Sequence, residues 1–230
     1  AWDYSFSPNL RLKLETYYQY LYDAPARKYF SNLNFGAGFN FPRIDSLRNE
    51  GLGQNYGVEL TLEKFLSDNY YFLVTASLFE SKFKNDNAWY EENDKGWTNT
   101  AFNNNYVLNA LGGVEFPLKK NMFINVNLKT VIAGGNPLLA IDEERSAEYN
   151  TTIYDYENSY EEHGPMYFRL DTRLSFRLNG KKLSQEWALD IQNITDHKNV
   201  FNRTYNFETD EIQYNYQQGI FPMFLYRLNF

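Results

Sequence analysis

The chain has 230 residues, 43% of them hydrophobic and 19% aromatic, yet its mean hydropathy is −0.61. It contains no cysteine, which excludes disulfide frameworks, thiolate metal sites and cysteine nucleophiles and leaves the redox compartment open. The net charge of −7 lacks the basic face that phosphate binding needs, so no nucleic-acid partner is expected, and no run of about 18 apolar residues offers a transmembrane helix.

The N-terminal Ala1-Trp2-Asp3-Tyr4-Ser5 shows no basic region followed by an apolar core, so no signal peptide is read there. Trp2–Phe6 resembles the end of a strand closed by a turn at Ser7-Pro8-Asn9. Residues 9–22 alternate with a period of two, with Leu10, Leu12, Leu14, Thr16, Tyr18, Tyr20 and Tyr22 on one face and Arg11, Lys13, Glu15, Tyr17 and Gln19 on the other. At helical spacing these residues would scatter apolar groups around the axis, so a strand is predicted. The same alternation recurs at 55–65, 70–83, 105–116, 122–133 and 166–178, then around Trp187, Leu189 and Ile191, and finally at 220–230. Eight strands and no helix are predicted, which makes the chain all-β.

The connections alternate between short and long. Short turns are predicted at 67–69, 117–121 and 179–184, and long polar loops at 23–54, 84–104, 134–165 and 196–217. Sandwiches mix turn lengths at both ends, whereas outer-membrane barrels pair short periplasmic turns with long extracellular loops. With the chain ending in the periplasm, Tyr20, Tyr22, Tyr56, Tyr106 and Phe168 cluster at the outer interface. Phe65, Tyr70, Phe116, Trp187, Tyr226 and Phe230 cluster at the inner one, with mostly Leu, Val, Ile and Ala between. Two aromatic girdles around an apolar band predict an antiparallel transmembrane β-barrel facing outer-membrane lipid. The final residues keep Phe224, Tyr226, Leu228 and Phe230 on one face, a pattern similar to the C-terminal signal read by the barrel-assembly machinery.

Several ordered blocks carry a family resemblance: NYGVELTLEKFLSDNYYFLVTASLFESKF (55–83), TAFNNNYVLNALGGVEF (100–116), YFRLDTRLSFRLNGKK (167–182), EWALDIQNITDHKNVF (186–201) and YQQGIFPMFLYRLNF (216–230). Together they resemble the C-terminal barrel of TonB-dependent receptors from Bacteroidota. The resemblance implies a 22-stranded barrel filled by an N-terminal plug, coupled through that plug to TonB. On this expectation residues 1–230 are the C-terminal part of the barrel domain, eight or nine consecutive strands. The plug and first strands then lie outside the chain, and a surface lipoprotein is a further partner. The alternative is a self-contained eight-stranded barrel of structural, adhesive or assembly role, closed by pairing 10–22 with 218–230.

In a receptor the charged strand faces would meet lumen or plug, which nominates Glu59, Glu63, Lys129, Arg169, Asp171, Arg173, Arg177 and Asp190. Cross-strand pairing is an equal expectation for the Arg169/Arg173 row beside Asp190. Candidate ligand-loop residues are Trp89, Tyr90 and Trp97 together with Tyr149, Tyr154, Tyr156 and Tyr160, because aromatic platforms stack on sugars or flat ligands. The loop at 134–165 is acidic, but without EF-hand-like spacing a solvated loop is preferred over a Ca²⁺ site, so neither metal nor cofactor is expected. His163 and His197 are far apart in sequence, and Asp196-His197 reads better as a turn than as a catalytic pair, so no enzymatic activity is expected.

Overall fold

The structure, a computed structural model, describes residues 1–27, 30–31, 47–85, 96–119 and 121–230. Nine long strands form one antiparallel meander: β1 (Trp2–Ser7), β2 (Leu10–Arg27), β3 (Arg48–Ser67), β4 (Tyr70–Asn85), β5 (Tyr106–Lys119), β6 (Met122–Ala133), β7 (Tyr167–Asn179), β8 (Ser184–Gln192) and β9 (Phe221–Asn229). Each pairs with its sequence neighbours and with no other long strand. Two-residue strands at Phe30–Ser31 and Thr98–Asn99 extend the outer ends of β2 and β4.

The short turns share one end of the sheet. Ser67 pairs with Tyr70 across Asp68 and Asn69, whose φ values of 52° and 67° give the doubly positive conformation that suits a two-residue hairpin. Asn179 pairs with Ser184, and the Gly180 N–H donates to the Leu183 carbonyl at 2.8 Å. Pro117 was expected in a turn. It lies instead in β5 opposite Phe123, beside a register shift between Pro117 and Lys119 that relieves the missing donor.

At the other end three expectations are corrected. β2 and β3 run well into the stretch read as a loop, because Ala24, Pro25 and Ala26 pack against Gly51 and its neighbours. A Cβ added to Gly51 would lie 2.6 Å from the Ala24 carbonyl oxygen, and Ala26 is buried. Contact through small residues leaves no apolar alternation to read. Second, residues 134–165 contain a helix, α1 (Glu143–Tyr149). Asp142 caps it by accepting the Arg145 N–H at 3.0 Å, Glu143 and Glu144 sit in its positive first turn, and Asn150 ends it in the left-handed region. Third, residues 200–216 form a hairpin, Val200–Asn206 against Glu211–Tyr216. Both are held by local capping and turn chemistry, to which a scan for long periodic segments is blind.

Closure of a small barrel by pairing 10–22 with 218–230 does not occur. β2 has β1 on one side and β3 on the other, and β9 pairs only with β8 among the described residues.

The sheet has two unlike faces. On one, register neighbours continue from strand to strand: Leu14, Leu60, Ala76, Leu108, Ile132 and Phe168 form one row, and Tyr70, Val114, Val126, Leu174, Leu189 and Phe224 another. Eight of these twelve side chains are exposed, among them Leu60 at 40%, Leu174 at 51% and Phe224 at 72%, and Ala76, Leu108, Ile132 and Phe168 are half-buried. Towards the short turns Phe116, Ile124, Phe176, Trp187 and Tyr226 are register neighbours. Trp187 lies 5.8 Å from the Phe176 ring and 5.5 Å from the Tyr226 ring. Towards the loops Tyr18 stacks on Tyr56 at 6.5 Å, and the face turns polar at Glu80, level with Tyr56, and beyond it at Gln54 and Lys82.

Candidate functional site

The second sheet face carries the charged residues singled out in the sequence, and five of the eight, Arg169, Asp171, Arg173, Arg177 and Asp190, are in ion pairs. The Arg173 guanidinium bridges two anions of β8, donating to Glu186 at 2.9 Å and to Asp190 at 3.3 Å. Asp190 is its direct register partner, so the cross-strand pairing expected for the row is found at Arg173, whereas Arg169 pairs along its own strand. Arg227 of β9 reaches the second Glu186 oxygen at 3.4 Å. Arg177 donates to Glu115 of β5 at 2.7 Å, across the intervening β6, with its guanidinium 5.0 Å from the Phe123 ring. Arg169 donates to Asp171 at 2.7 Å, and Asp171 also accepts the Asn193 N–H at 2.9 Å while facing Lys129 in register.

Glu59 and Glu63 belong to a different part of this face. Glu63 lies opposite Arg11, whose guanidinium is paired with Asp3. Glu59 lies opposite Glu15, and the Glu15 carboxylate is taken by Lys13 at 2.6 Å. Like charges opposite each other are unfavourable without a cation between them, so Lys13 is what makes the Glu15/Glu59 juxtaposition tolerable.

Polar but uncharged residues fill the rest. Tyr71, Gly113 and Asn127 are successive register neighbours on β4, β5 and β6. The Tyr71 ring lies across the glycine and its hydroxyl donates to Asn127 Oδ1 at 2.8 Å. Two hollows flank this ring. One, of about 480 Å³, is lined by Glu115, Asn125, Arg173, Arg177, Glu186 and Arg227 among others, and the other, of about 340 Å³, by Lys129, Asp171, Arg173, Asp190 and Gln192 among others. Such a surface offers donors and acceptors of both signs at fixed positions and suits contact with water, a polar solute or a polar polypeptide.

The loops form a layer above the polar and apolar ends of β4–β9. Asn103 is 1% exposed and ties residues 98–105 to β4, its Oδ1 accepting the Ser81 N–H at 2.8 Å and its Nδ2 donating to Glu80 at 3.1 Å. His163 Nε2 lies 3.0 Å from the Asn103 carbonyl, and Asn99 donates to the Tyr160 carbonyl at 3.0 Å, which docks 134–165 onto that segment. Arg203 of the rim hairpin donates to the Leu139 carbonyl at 3.1 Å and to Glu162 at 2.9 Å. Asn199 grips β7 at both backbone groups of Phe168, accepting its N–H at 2.9 Å and donating to its carbonyl at 2.8 Å.

Within this layer the nominated aromatics do not form one platform. Tyr154 and Tyr156 lie 6.2 Å apart, Tyr149 projects at the end of α1 with 60% exposure, and Trp97 is 37% exposed. Tyr160 is 4% exposed, and burial pushes its phenol well above the usual tyrosine range. Burial does the same, more mildly, to Tyr154. Trp89 and Tyr90 lie outside the described residues. The acidic side chains of 134–165 are spread among a cap, a helical turn, an Asp155-centred turn and the Arg203 ion pair. No three His, Asp or Glu side chains converge on a metal-sized site among the described residues. Asp196 accepts the Ile220 N–H at 3.1 Å, while the His197 ring packs edge-on against Phe168 at 5.7 Å.

Sequence reasoning missed Glu115, Glu186 and Arg227 as partners of the arginine row, although their place in the strand alternation already put them on the charged face. It also missed Asn103, Asn199 and Arg203, which lie in aperiodic segments and carry no such signal. Phe224, Tyr226, Leu228 and Phe230 are exposed, and the outer edge of β9 has no strand partner among the described residues. No protein-family model, no curated protein and no solved structure matches the chain.

Proposed function

We propose that the chain is a wall segment of a bacterial outer-membrane β-barrel of the TonB-dependent receptor type, serving uptake of a nutrient rather than catalysis. One observation carries the reading. Apolar side chains stay exposed or half-exposed along one face of nine consecutive strands, mostly aliphatic between two aromatic zones, while the opposite face is an ion-paired polar surface. In water an apolar face of that extent would demand a covering layer. In a bilayer it meets acyl chains.

The dimensions support this. Tyr106 and Phe116 are ten residues apart on β5, which is about 33 Å along a strand and about 25 Å of height at a tilt of about 40°. That is the thickness of the apolar band of outer-membrane barrels. In a nine-stranded antiparallel meander β1 and β9 run in the same direction. All-antiparallel closure therefore requires an odd number of further strands, which agrees with a share in a larger barrel and leaves neither edge bare in lipid.

In this reading the polar face lines the lumen, and its arginines hold water or a plug by hydrogen bonds already aimed by Glu115, Glu186 and Asp190. The loop layer contributes to the ligand mouth. Energy-coupled displacement of a plug by TonB would then open the path, with a surface lipoprotein as a further partner. The barrel-assembly machinery would read Phe224, Tyr226, Leu228 and Phe230 during insertion.

Leu60 and Thr61 test the facing. Leu60→Arg sets a guanidinium in mid-band between Leu14 and Ala76, at a cost of roughly 2–4 kcal/mol, and should empty the outer-membrane fraction of heat-modifiable protein. Thr61→Arg, on the polar face, should be mild. Equal losses from the two variants would sink the proposal. Intact mass is a second test, since a mature chain of only 27.2 kDa would have no further strands with which to close the sheet and would sink the receptor reading.

A further inference from the structure

The two ends of the sheet differ sharply in charge. In the short turns at 67–69, 117–121 and 179–184, Lys119, Lys181 and Lys182 stand against one carboxylate, Asp68, and Lys64 lies four residues before it. At the loop end, residues 134–165 and 194–217 hold twelve Asp and Glu against Arg145, Lys198 and Arg203. The overall charge of −7 thus conceals a positive rim opposite a strongly negative one.

The lysines are placed in two ways. Lys64 is tied down, donating to the Ser67 carbonyl at 2.9 Å with its ammonium 3.7 Å over the Tyr70 ring. It contributes charge without a free donor. Lys119, Lys181 and Lys182 are exposed and make no ion pair among the described residues. They come from neighbouring hairpins whose turns are joined, since the Asn179 N–H donates to the Asn121 carbonyl at 2.8 Å. Their spacing is therefore set by the sheet.

What lies beside them identifies the surface they fit. Leu118 and Leu183 are exposed next to the lysines, and the row of Phe116, Phe176, Trp187 and Tyr226 follows on the apolar face. From mid-band outward the side chains change from aliphatic to aromatic to ammonium within a few residues. This is the order of a bilayer leaflet from acyl chain to headgroup.

We infer that the short-turn rim is a contact surface for anionic phospholipid headgroups, with Lys119, Lys181 and Lys182 meeting the phosphates. The inference rests on the membrane reading above. It adds an orientation, because the acidic loop rim would be repelled by the same headgroups, and it assigns a lipid chemistry to one leaflet.

The test uses the full-length protein reconstituted into phosphatidylcholine vesicles with and without a minor fraction of phosphatidylglycerol. Flotation with the vesicles reports insertion. Spin-labelled lipids then report the preference of the annulus for phosphatidylglycerol over phosphatidylcholine. A two- to roughly fivefold preference at low salt is expected, the upper value being what one lysine near an anionic surface is worth. It should fall with salt and approach unity in the triple variant K119Q/K181Q/K182Q, and it should persist in E143Q/E144Q. Failure to float would overturn the membrane reading and this inference together. Flotation with an equal preference in wild type and triple variant would overturn only this inference, and would leave the lysines to a soluble acidic partner.

Discussion

Replacing Gly113 by alanine probes how the polar face holds three strands in register. The added Cβ would lie 2.0 Å from Asn127 Oδ1 and 2.7 Å from the Tyr71 ring, well inside contact distance. Both side chains must retreat, and their 2.8 Å hydrogen bond goes with them. Overpacking of this kind costs roughly 1–3 kcal/mol and the lost hydrogen bond about 1 kcal/mol. Alanine returns about 0.4–1 kcal/mol by restricting the unfolded chain. The net expectation is a loss of about 2 kcal/mol. Gly112 next door is the control, because its added Cβ meets nothing nearer than the Tyr71 carbonyl oxygen at 3.1 Å and Phe72 Cβ at 3.4 Å. Gly112→Ala should be close to neutral. The assay is the temperature at which the full-length protein in detergent loses its compact, heat-modifiable form on a gel. Gly113→Ala should lower it by roughly 4–8 °C and Gly112→Ala by much less. Equal shifts, or none for Gly113→Ala, would refute the claim that Tyr71 closes over this glycine. Tyr71→Ala in the Gly113→Ala background should restore part of the loss, since it removes the ring that the methyl group displaces.

Two further expectations concern the loop layer. Asn199→Ala removes both side-chain bonds to the Phe168 backbone from a site that is 4% exposed. A loss of about 2 kcal/mol follows from leaving buried backbone groups unpaired, and limited proteolysis should cut 196–217 faster while the strands remain protected. The phenol of Tyr160 is held protonated by burial, its pKa raised above the ordinary value of 10.0. Because the unfolded phenol ionises first, the unfolded state binds fewer protons above about pH 10, and the stability of the loop layer falls as pH rises past that point. Proteolysis of 134–165 at pH 8 and pH 11 checks the sign, and Tyr160→Phe should lessen the alkaline sensitivity.

Much of the architecture is written in local alternation. Strand positions, the side of the sheet that each residue takes and the asymmetry between short turns and long loops all follow from the two-residue period and the placing of turn residues. The aromatic rows are legible for the same reason, since Phe116, Trp187 and Tyr226 lie near strand ends wherever those strands pair. Arg169, Arg173, Arg177 and Asp190 could be assigned to one face on parity alone.

Register between strands decides the rest. Arg177 reaches across β6 to Glu115, which the register places level with Ser175, one same-face position along from Arg177, while Glu186, level with Arg177, serves Arg173 and Arg227 instead because β8 lies between β7 and β9. The tall β2–β3 hairpin depends on close backbone approach at Gly51, and α1 depends on the Asp142 cap. Neither leaves a periodic trace. The sequence by itself determined an alternating, two-faced, all-β chain with a polar loop end. Only the tertiary structure decided that its nine strands form an open meander, which ions pair across it, and that the turns carrying Lys119, Lys181 and Lys182 are joined side by side. Alternation fixes the side on which a residue lies, whereas hydrogen-bond register fixes which residue it meets.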